Sequence, residues 1–363
     1  MIPADAGAEI ARLLRDAVTA GDLPRGAAAL PAAGTWRPAP AQVGGGPGTY
    51  ATSLPLSVAR LAGRAAGPVA ERLATGLSAV PWVSSAWVTG GGYLTVRVTA
   101  GHLAALPGRI VAAGPAAVAA STALVGVRLT APSLPDPAAA ASWEQAWRTQ
   151  CDALAGRLAR AAGATAVFID GQRNATADSP SPPGSGRVSA AVAHLGADAV
   201  RYALARTSAP RPGVIARQLG RPLDLANPFV LVTYAHGDAA STLRWAADLR
   251  LMPGVRAAGE AAAGQELRPL ELALVDAMSW FPERVAAAAR RARPADLTAC
   301  LEHVAGAWLD CAEYCPALPF RGLAAPADPG GPQAAARLGL ADAARVVLAA
   351  GLGLLGVSAP VRN

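Results

Sequence analysis

Apolar positions recur at helical spacing from Ala6 to Ala20, with Asp5, Glu9 and Asp16 on the polar side, which predicts an opening helix. A Pro/Gly-rich stretch, Pro31 to Gly48, interrupts it. Helical spacing resumes through Leu56, Ala59, Leu61, Val69 and Leu73. The period then drops to two: Leu94, Val96 and Val98 alternate with Tyr93, Thr95 and Arg97. With Trp82 to Val88 on the far side of Gly90-Gly91-Gly92, this predicts a hairpin. Trp143 to Ala162 reads as a helix, Ala164 to Ile169 as a strand and Asp170-Gly171 as a turn. That is one αβ unit, too little for a doubly wound sheet. Asn174 to Gly186, rich in Ser, Pro and Gly, reads as a flexible linker. Beyond it the pattern is almost wholly helical, with a second Pro/Gly interruption at Ala324 to Pro332. The expected organisation is an α+β domain over residues 1–100, a reduced αβ segment with its linker over 101–189, and an all-α helical bundle over 190–363.

Composition narrows this further. At 363 residues and 52% hydrophobic the chain can bury real cores, although much of that fraction is alanine, a strong helix former. All 32 residues of the Lys+Arg count are arginine, as expected of a GC-rich coding sequence. A net charge of +7 with a pI near 9.9 suits a polyanionic partner, because arginine holds phosphate bidentately; a modest excess on a chain this size is also compatible with no specific partner. Four cysteines make no disulfide framework, and Met1 to Ala20 has no secretory pattern, so a cytoplasmic protein is expected. Ile110 to Val127 is uncharged but made mostly of Ala, Gly, Ser and Val around Pro115. It reads as a buried or linking segment rather than a membrane span.

Asn227-Pro228 marks a helix start, with Asn able to cap the free amides and Pro suited to the first helical position. On the helix that follows, Leu231, Ala235, Ala239, Leu243 and Ala246 form a core stripe. Tyr234, Asp238, Ser241, Trp245 and Asp248 form a second face, and Phe229, Thr233, His236 and Arg244 a third. Tyr234 and Trp245 on a partly exposed face could stack on unpaired bases, and His236 and Arg244 could hydrogen-bond to bases or phosphates. The alternative is a helix wedged between neighbours, with Trp245 in a satellite core. Arg284, Arg290, Arg291 and Arg293 cluster before Pro294, either as a solvated helix face or as a phosphate-tracking patch. Cys300, Cys311 and Cys315 fall on one apolar helix. The first two lie about 16 Å apart along it and cannot share a metal, and no third ligand stands near the other two, so they read as core thiols. His194-Leu195-Gly196-Ala197 lacks the second histidine of a His-x-Gly-His signature. The two Gly triplets lack the Lys-Ser/Thr of a phosphate loop, and no nucleophile-base constellation is evident. No cofactor or metal is expected.

The run Asn227-Pro228-Phe229-Val230-Leu231-Val232-Thr233-Tyr234-Ala235-His236, preceded by Leu195-Gly196-Ala197-Asp198-Ala199-Val200-Arg201-Tyr202, resembles the entry to the DALR-type anticodon-binding domain of arginyl-tRNA synthetases. Arg337-Leu338 through Pro360 resembles that family's closing helix. Tyr50-Ala51-Thr52-Ser53, with Gly91-Gly92-Tyr93-Leu94-Thr95-Val96, is weakly similar to its additional N-terminal domain, which grips the tRNA elbow. The resemblance implies RNA contact by Asn227, Thr233, Tyr234, His236, Arg244, Trp245, Arg290, Arg291 and Arg293, and a structural junction at Asp198, Arg201 and Tyr202. Departures fall at Thr233 (usually Gln), at Gly237-Asp238 (usually Ala-Arg, with Asp238 repelling phosphate) and at Asn363 (usually Met). With neither lysine nor His-x-Gly-His, the expectation is a non-catalytic paralogue that binds tRNA or another structured RNA and not a membrane, with a synthetase or tRNA-modifying enzyme as a candidate partner. One alternative is a truncated ligase-like subunit that aminoacylates only with a partner. The other is a protein-interaction module with a decayed RNA site.

Overall fold

The computed structural model describes residues 2–30, 32–169, 185–209, 212–254, 267–319 and 331–360. The opening helix is α1, Ile2–Thr19, which starts earlier than its apolar spacing suggested and buries Ile2, Ile10 and Leu14. Two short strands follow, β1 (Trp36–Pro38) and β2 (Thr49–Thr52), then α2 (Leu54–Ala62) and α3 (Ala66–Ser78). The expected hairpin is present as β3 (Val83–Thr89) and β4 (Tyr93–Val98). All pairings are antiparallel and the strand order is β1-β2-β4-β3, so the two segments separated by α2 and α3 meet in one sheet. α2 and α3 cover the face that carries Leu94, Val96 and Val98.

Helix α4 (Ala100–Ala104) leads into α5 (Leu106–Val118), which runs into the uncharged segment. α5 bends at Gly114 (φ 72°, ψ 173°), immediately before Pro115. Its buried residues Leu106, Ile110 and Val118 lie on the core, and the helix packs against the last helix of the chain. The middle segment is larger than one αβ unit. β5 (Arg128–Pro132) precedes α6 (Trp143–Ala161) and pairs in parallel with β6 (Thr165–Ile169), giving a complete β-α-β crossover with two strands. β5 escaped the sequence pattern because only Ala131 of its five residues is fully buried. The expected turn at Asp170-Gly171 and most of the Asn174 to Gly186 linker lie outside the described residues.

The remainder is helical, as expected: α7 (Ser185–Leu195), α8 (Ala197–Arg206), α9 (Pro212–Leu219), α10 (Pro228–Asp248), α11 (Pro269–Ser279), α12 (Phe281–Arg291), α13 (Pro294–Tyr314) and α14 (Pro332–Leu355). Most of the Ala324 to Pro332 interruption is outside the described residues. α10 packs on α13 and α14, and α11 and α12 on α13. α13 and α14 approach closely at Gly351, where a Cβ would run into the Leu301 side chain. By length and composition α14 could cross a membrane; here it is mostly buried beneath α5, α10 and α13. Cys300, Cys311 and Cys315 are buried free thiols in this interior. Burial pushes Cys300 up to about 12.

The core is continuous between the sheet and the bundle. Tyr50 is fully buried, its ring 4.9 Å from Trp280 and its hydroxyl 2.9 Å from Ser279 Oγ. Two carboxylates of the bundle accept backbone N–H groups from the sheet region: Asp276 from Gly48 at 2.8 Å and Glu283 from Trp36 at 2.7 Å. Deeper still, Glu271 and Arg337 form a buried ion pair at 2.7 Å. Arg337 also donates to Pro316 O, and Glu271 accepts from the Arg268 N–H at the start of α11.

Candidate nucleic-acid interface

α10 begins as its first two residues dictate. Asn227 Oδ1 accepts the Phe229 N–H at 3.1 Å, and Pro228 occupies the first turn, where no N–H is needed. The Asn227 side chain is therefore buried and committed to the cap. Thr233 Oγ1 donates to Phe229 O at 2.8 Å, turned back on its own helix. His236 is 3% exposed and its Nδ1 lies 2.7 Å from Pro360 O, which joins α10 to the end of the described chain. Burial lowers the pKa of His236, so near neutral pH the ring is an uncharged donor and not a phosphate-binding cation.

Tyr234 is 40% exposed and Trp245 44% exposed. About three helical turns separate them, so they share one azimuth. The second face is not an exposed stripe, however. Between them Asp238 and Ser241 are buried, because α13 packs there and Trp308 Nε1 donates to Asp238 Oδ2 at 2.9 Å. The expectation that Asp238 repels phosphate is corrected by this placement: its carboxylate is inside the fold. Arg244 is exposed beside Trp245 and donates to Ser241 Oγ at 2.7 Å. On the core side Ala235, Ala239 and Ala246 are buried, with Leu231 and Leu243 half-buried.

Arg290, Arg291 and Arg293 are exposed at the end of α12 and the turn after it, away from α10 in sequence. Arg290 donates to Ala33 O at 3.1 Å and lies against Gly34, whose positive φ and close contact with this side chain suit glycine. Arg291 reaches Asp296 at 3.3 Å and Arg293 reaches the same carboxylate at 3.9 Å. Arg284 belongs instead over the Trp280 ring, 5.2 Å from its centroid.

Asp198, Arg201 and Tyr202 stand at the junction. Asp198 pairs with Arg201 at 3.3 Å and accepts the Ser358 N–H at 2.9 Å. Tyr202 is buried, and its hydroxyl donates to Glu302 of α13, which also holds Arg206 at 2.8 Å.

One surface escaped the sequence pattern. The sheet face opposite α2 and α3 carries two arginine–aromatic stacks: Arg37 lies 4.2 Å over Tyr93, and Arg97 lies 5.5 Å over Trp87. The strand alternation already placed Tyr93 and Arg97 on the polar side. Their partners come from β1 and β3, through a strand register that no local pattern encodes.

Comparison with known proteins agrees with this geometry. Residues 232–362 match the DALR anticodon binding domain. The arginine–tRNA ligase of Micrococcus luteus is 40% identical over 171 residues, covering 46% of this chain and 29% of that protein. The ligase of Frankia alni is 38% identical over 175 residues, again covering 46% of this chain and 29% of the relative. The chain thus matches less than a third of the length of these ligases. The structure of Thermus thermophilus arginyl-tRNA synthetase superimposes with a TM-score of 0.58 at 14% identity, covering 100% of both chains, which speaks to fold. The chain is related to arginyl-tRNA synthetases and carries a DALR anticodon binding domain in its C-terminal helices.

Proposed function

We propose that this chain binds tRNA, or another structured RNA, through its C-terminal helices, and that it does so in the cytoplasm without itself activating an amino acid. The observation that carries this reading is the pair of exposed aromatics, Tyr234 and Trp245, with Arg244 beside them, on a helix inside the stretch matched to an anticodon binding domain. Unpaired bases stack on such side chains without regard to sequence, and arginine supplies phosphate contact. Asn227, Thr233 and His236 act indirectly in this reading, by fixing the helix start and its attachment to the chain end. The stacks Arg37–Tyr93 and Arg97–Trp87 add a second aromatic and cationic surface. Lack of catalysis is supported by a sequence without lysine and by a crossover unit that has two strands among the described residues, where a nucleotide-binding domain would need more.

The test is capture of host RNA by the purified protein at moderate salt, followed by sequencing. Enrichment of one tRNA family, lost in Tyr234→Ala or Arg244→Ala, is the expected result. Binding that ignores sequence and vanishes with modest salt would refute the reading and favour a protein-interaction module.

A second reading has its own observation. The matched stretch covers 29% of each ligase, so a companion protein could supply the remainder. Arginylation only when both proteins are mixed would establish that role.

A further inference from the structure

Between the N-terminal sheet and α11, α12 and α13 lies a cavity of about 340 Å³, bounded on the sheet side by Pro38. α11 contributes Asp276 and Trp280, α12 contributes Arg284 and Arg291, and α13 contributes Asp296 and His303. Arg291 is satisfied by Asp296 at 3.3 Å. Arg284 is not so paired. It rests over the Trp280 ring, and its guanidinium has no carboxylate or carbonyl acceptor among the described residues. Asp276, on the same lining, accepts from the Gly48 N–H at 2.8 Å and from Trp280 Nε1 at 3.3 Å, and the Tyr50 hydroxyl also lies against it. A carboxylate has about four lone-pair sites, so acceptor capacity remains. Ala277, Ala287 and Ala299 supply small apolar parts of the same lining.

These groups define a complement. An unpaired guanidinium calls for an anion, and a stacked guanidinium plane also accepts a flat ring on its open face. A carboxylate with free lone pairs calls for N–H donors and repels an edge made of carbonyls. A guanine presents two adjacent N–H donors, whereas a uracil presents one between two carbonyls. Burial raises the Cys300 thiol to about 12, so it stands in this lining as a protonated thiol near neutral pH.

We propose that this cavity is a receptor for one guanine nucleotide unit, its phosphate on Arg284 and its N–H edge on Asp276, with His303 at the mouth. The nucleotide is either free or splayed from an RNA strand. The site is separate from the α10 aromatics and does not depend on their role.

The experiment is calorimetric titration of the full chain with 5′-GMP, 5′-UMP and inorganic phosphate, together with competition by hairpins that differ only in a loop guanosine or uridine. 5′-GMP is expected to bind at least about tenfold tighter than 5′-UMP, as for a bidentate base contact. Ala299→Phe fills the cavity from an exposed helix position without removing a fold contact, and should abolish that binding. Arg284→Gln should weaken it. If free 5′-GMP does not bind but the guanosine hairpin is preferred in a manner lost with Ala299→Phe, the occupant is a nucleotide within RNA. Equal binding of 5′-GMP, 5′-UMP and phosphate overturns the proposal. So does 5′-GMP binding untouched by Ala299→Phe, or no guanine preference in either form.

Discussion

Trp308 donates its indole N–H to Asp238 at 2.9 Å, inside the contact between α10 and α13. This bond gives an acidic side chain on a candidate RNA-binding helix a structural task. Asp238→Asn keeps an acceptor for Trp308 and removes the charge. RNA affinity should then change little, since the Asp238 side chain is turned into the fold toward Trp308 and makes no direct contact with a strand on the surface. Asp238→Ala should cost about 1–3 kcal/mol of stability by leaving the indole unsatisfied. Filter binding and urea unfolding of the two variants measure this; a large gain in RNA affinity for Asp238→Asn would place the charge at the interface.

Tyr234→Ala and Trp245→Ala remove exposed rings and should leave the unfolding midpoint close to that of the parent. Each should weaken RNA binding by about 1–3 kcal/mol if it stacks on a base. Loss in one variant only would locate the bound strand on one side of the buried middle of the helix.

The Glu271–Arg337 pair is almost wholly buried. Removing one partner strands the other charge, so Arg337→Met should destabilise the fold by about 3–5 kcal/mol, seen in chemical denaturation. The double replacement Glu271→Gln with Arg337→Met should recover part of that loss.

Glu283 is pushed above the usual carboxylate range by burial, although the Gly34 and Trp36 N–H groups oppose the shift. A raised folded-state pKa means that the folded protein holds the proton more tightly than the unfolded chain. This group's contribution to stability is therefore fully present below its unfolded pKa, and it is lost as pH rises through the folded value. Glu283→Gln, which keeps the acceptor for Trp36, should be more stable than the parent at neutral pH, and the gap should close on acidification. Thermal unfolding of both proteins between neutral pH and the ordinary carboxylate range shows this; a gap that widens on acidification would reverse the sign.

Much of this molecule was legible before any coordinates. The β3–β4 hairpin, the α10 start at Asn227 and the buried stripe with Cys300, Cys311 and Cys315 all follow from local periodicity, because each is decided by residues within a few positions. β5 was missed because its partner β6 lies beyond a whole helix and its own exposure hides its period. At the site, the sequence leaves Tyr234 and Trp245 either on a partly exposed face or wedged between neighbours, and both are exposed. The interior positions of His236 and Asp238 were not legible, since Pro360 and Trp308 reach them from distant parts of the chain. Long-range partners are chosen by packing, and a helical wheel carries no record of them.

The attachments at Gly48–Asp276, Tyr50–Ser279 and Trp36–Glu283 also set a distance. Fastened at three points, the arginine-bearing sheet face cannot slide along the bundle that carries Tyr234 and Trp245. Any RNA touching both must present two contact points at that one separation, and a strand with only one of them forfeits the gain in effective concentration that the second would bring. Under the proposed function, that fixed span would select an RNA by shape before any base is read.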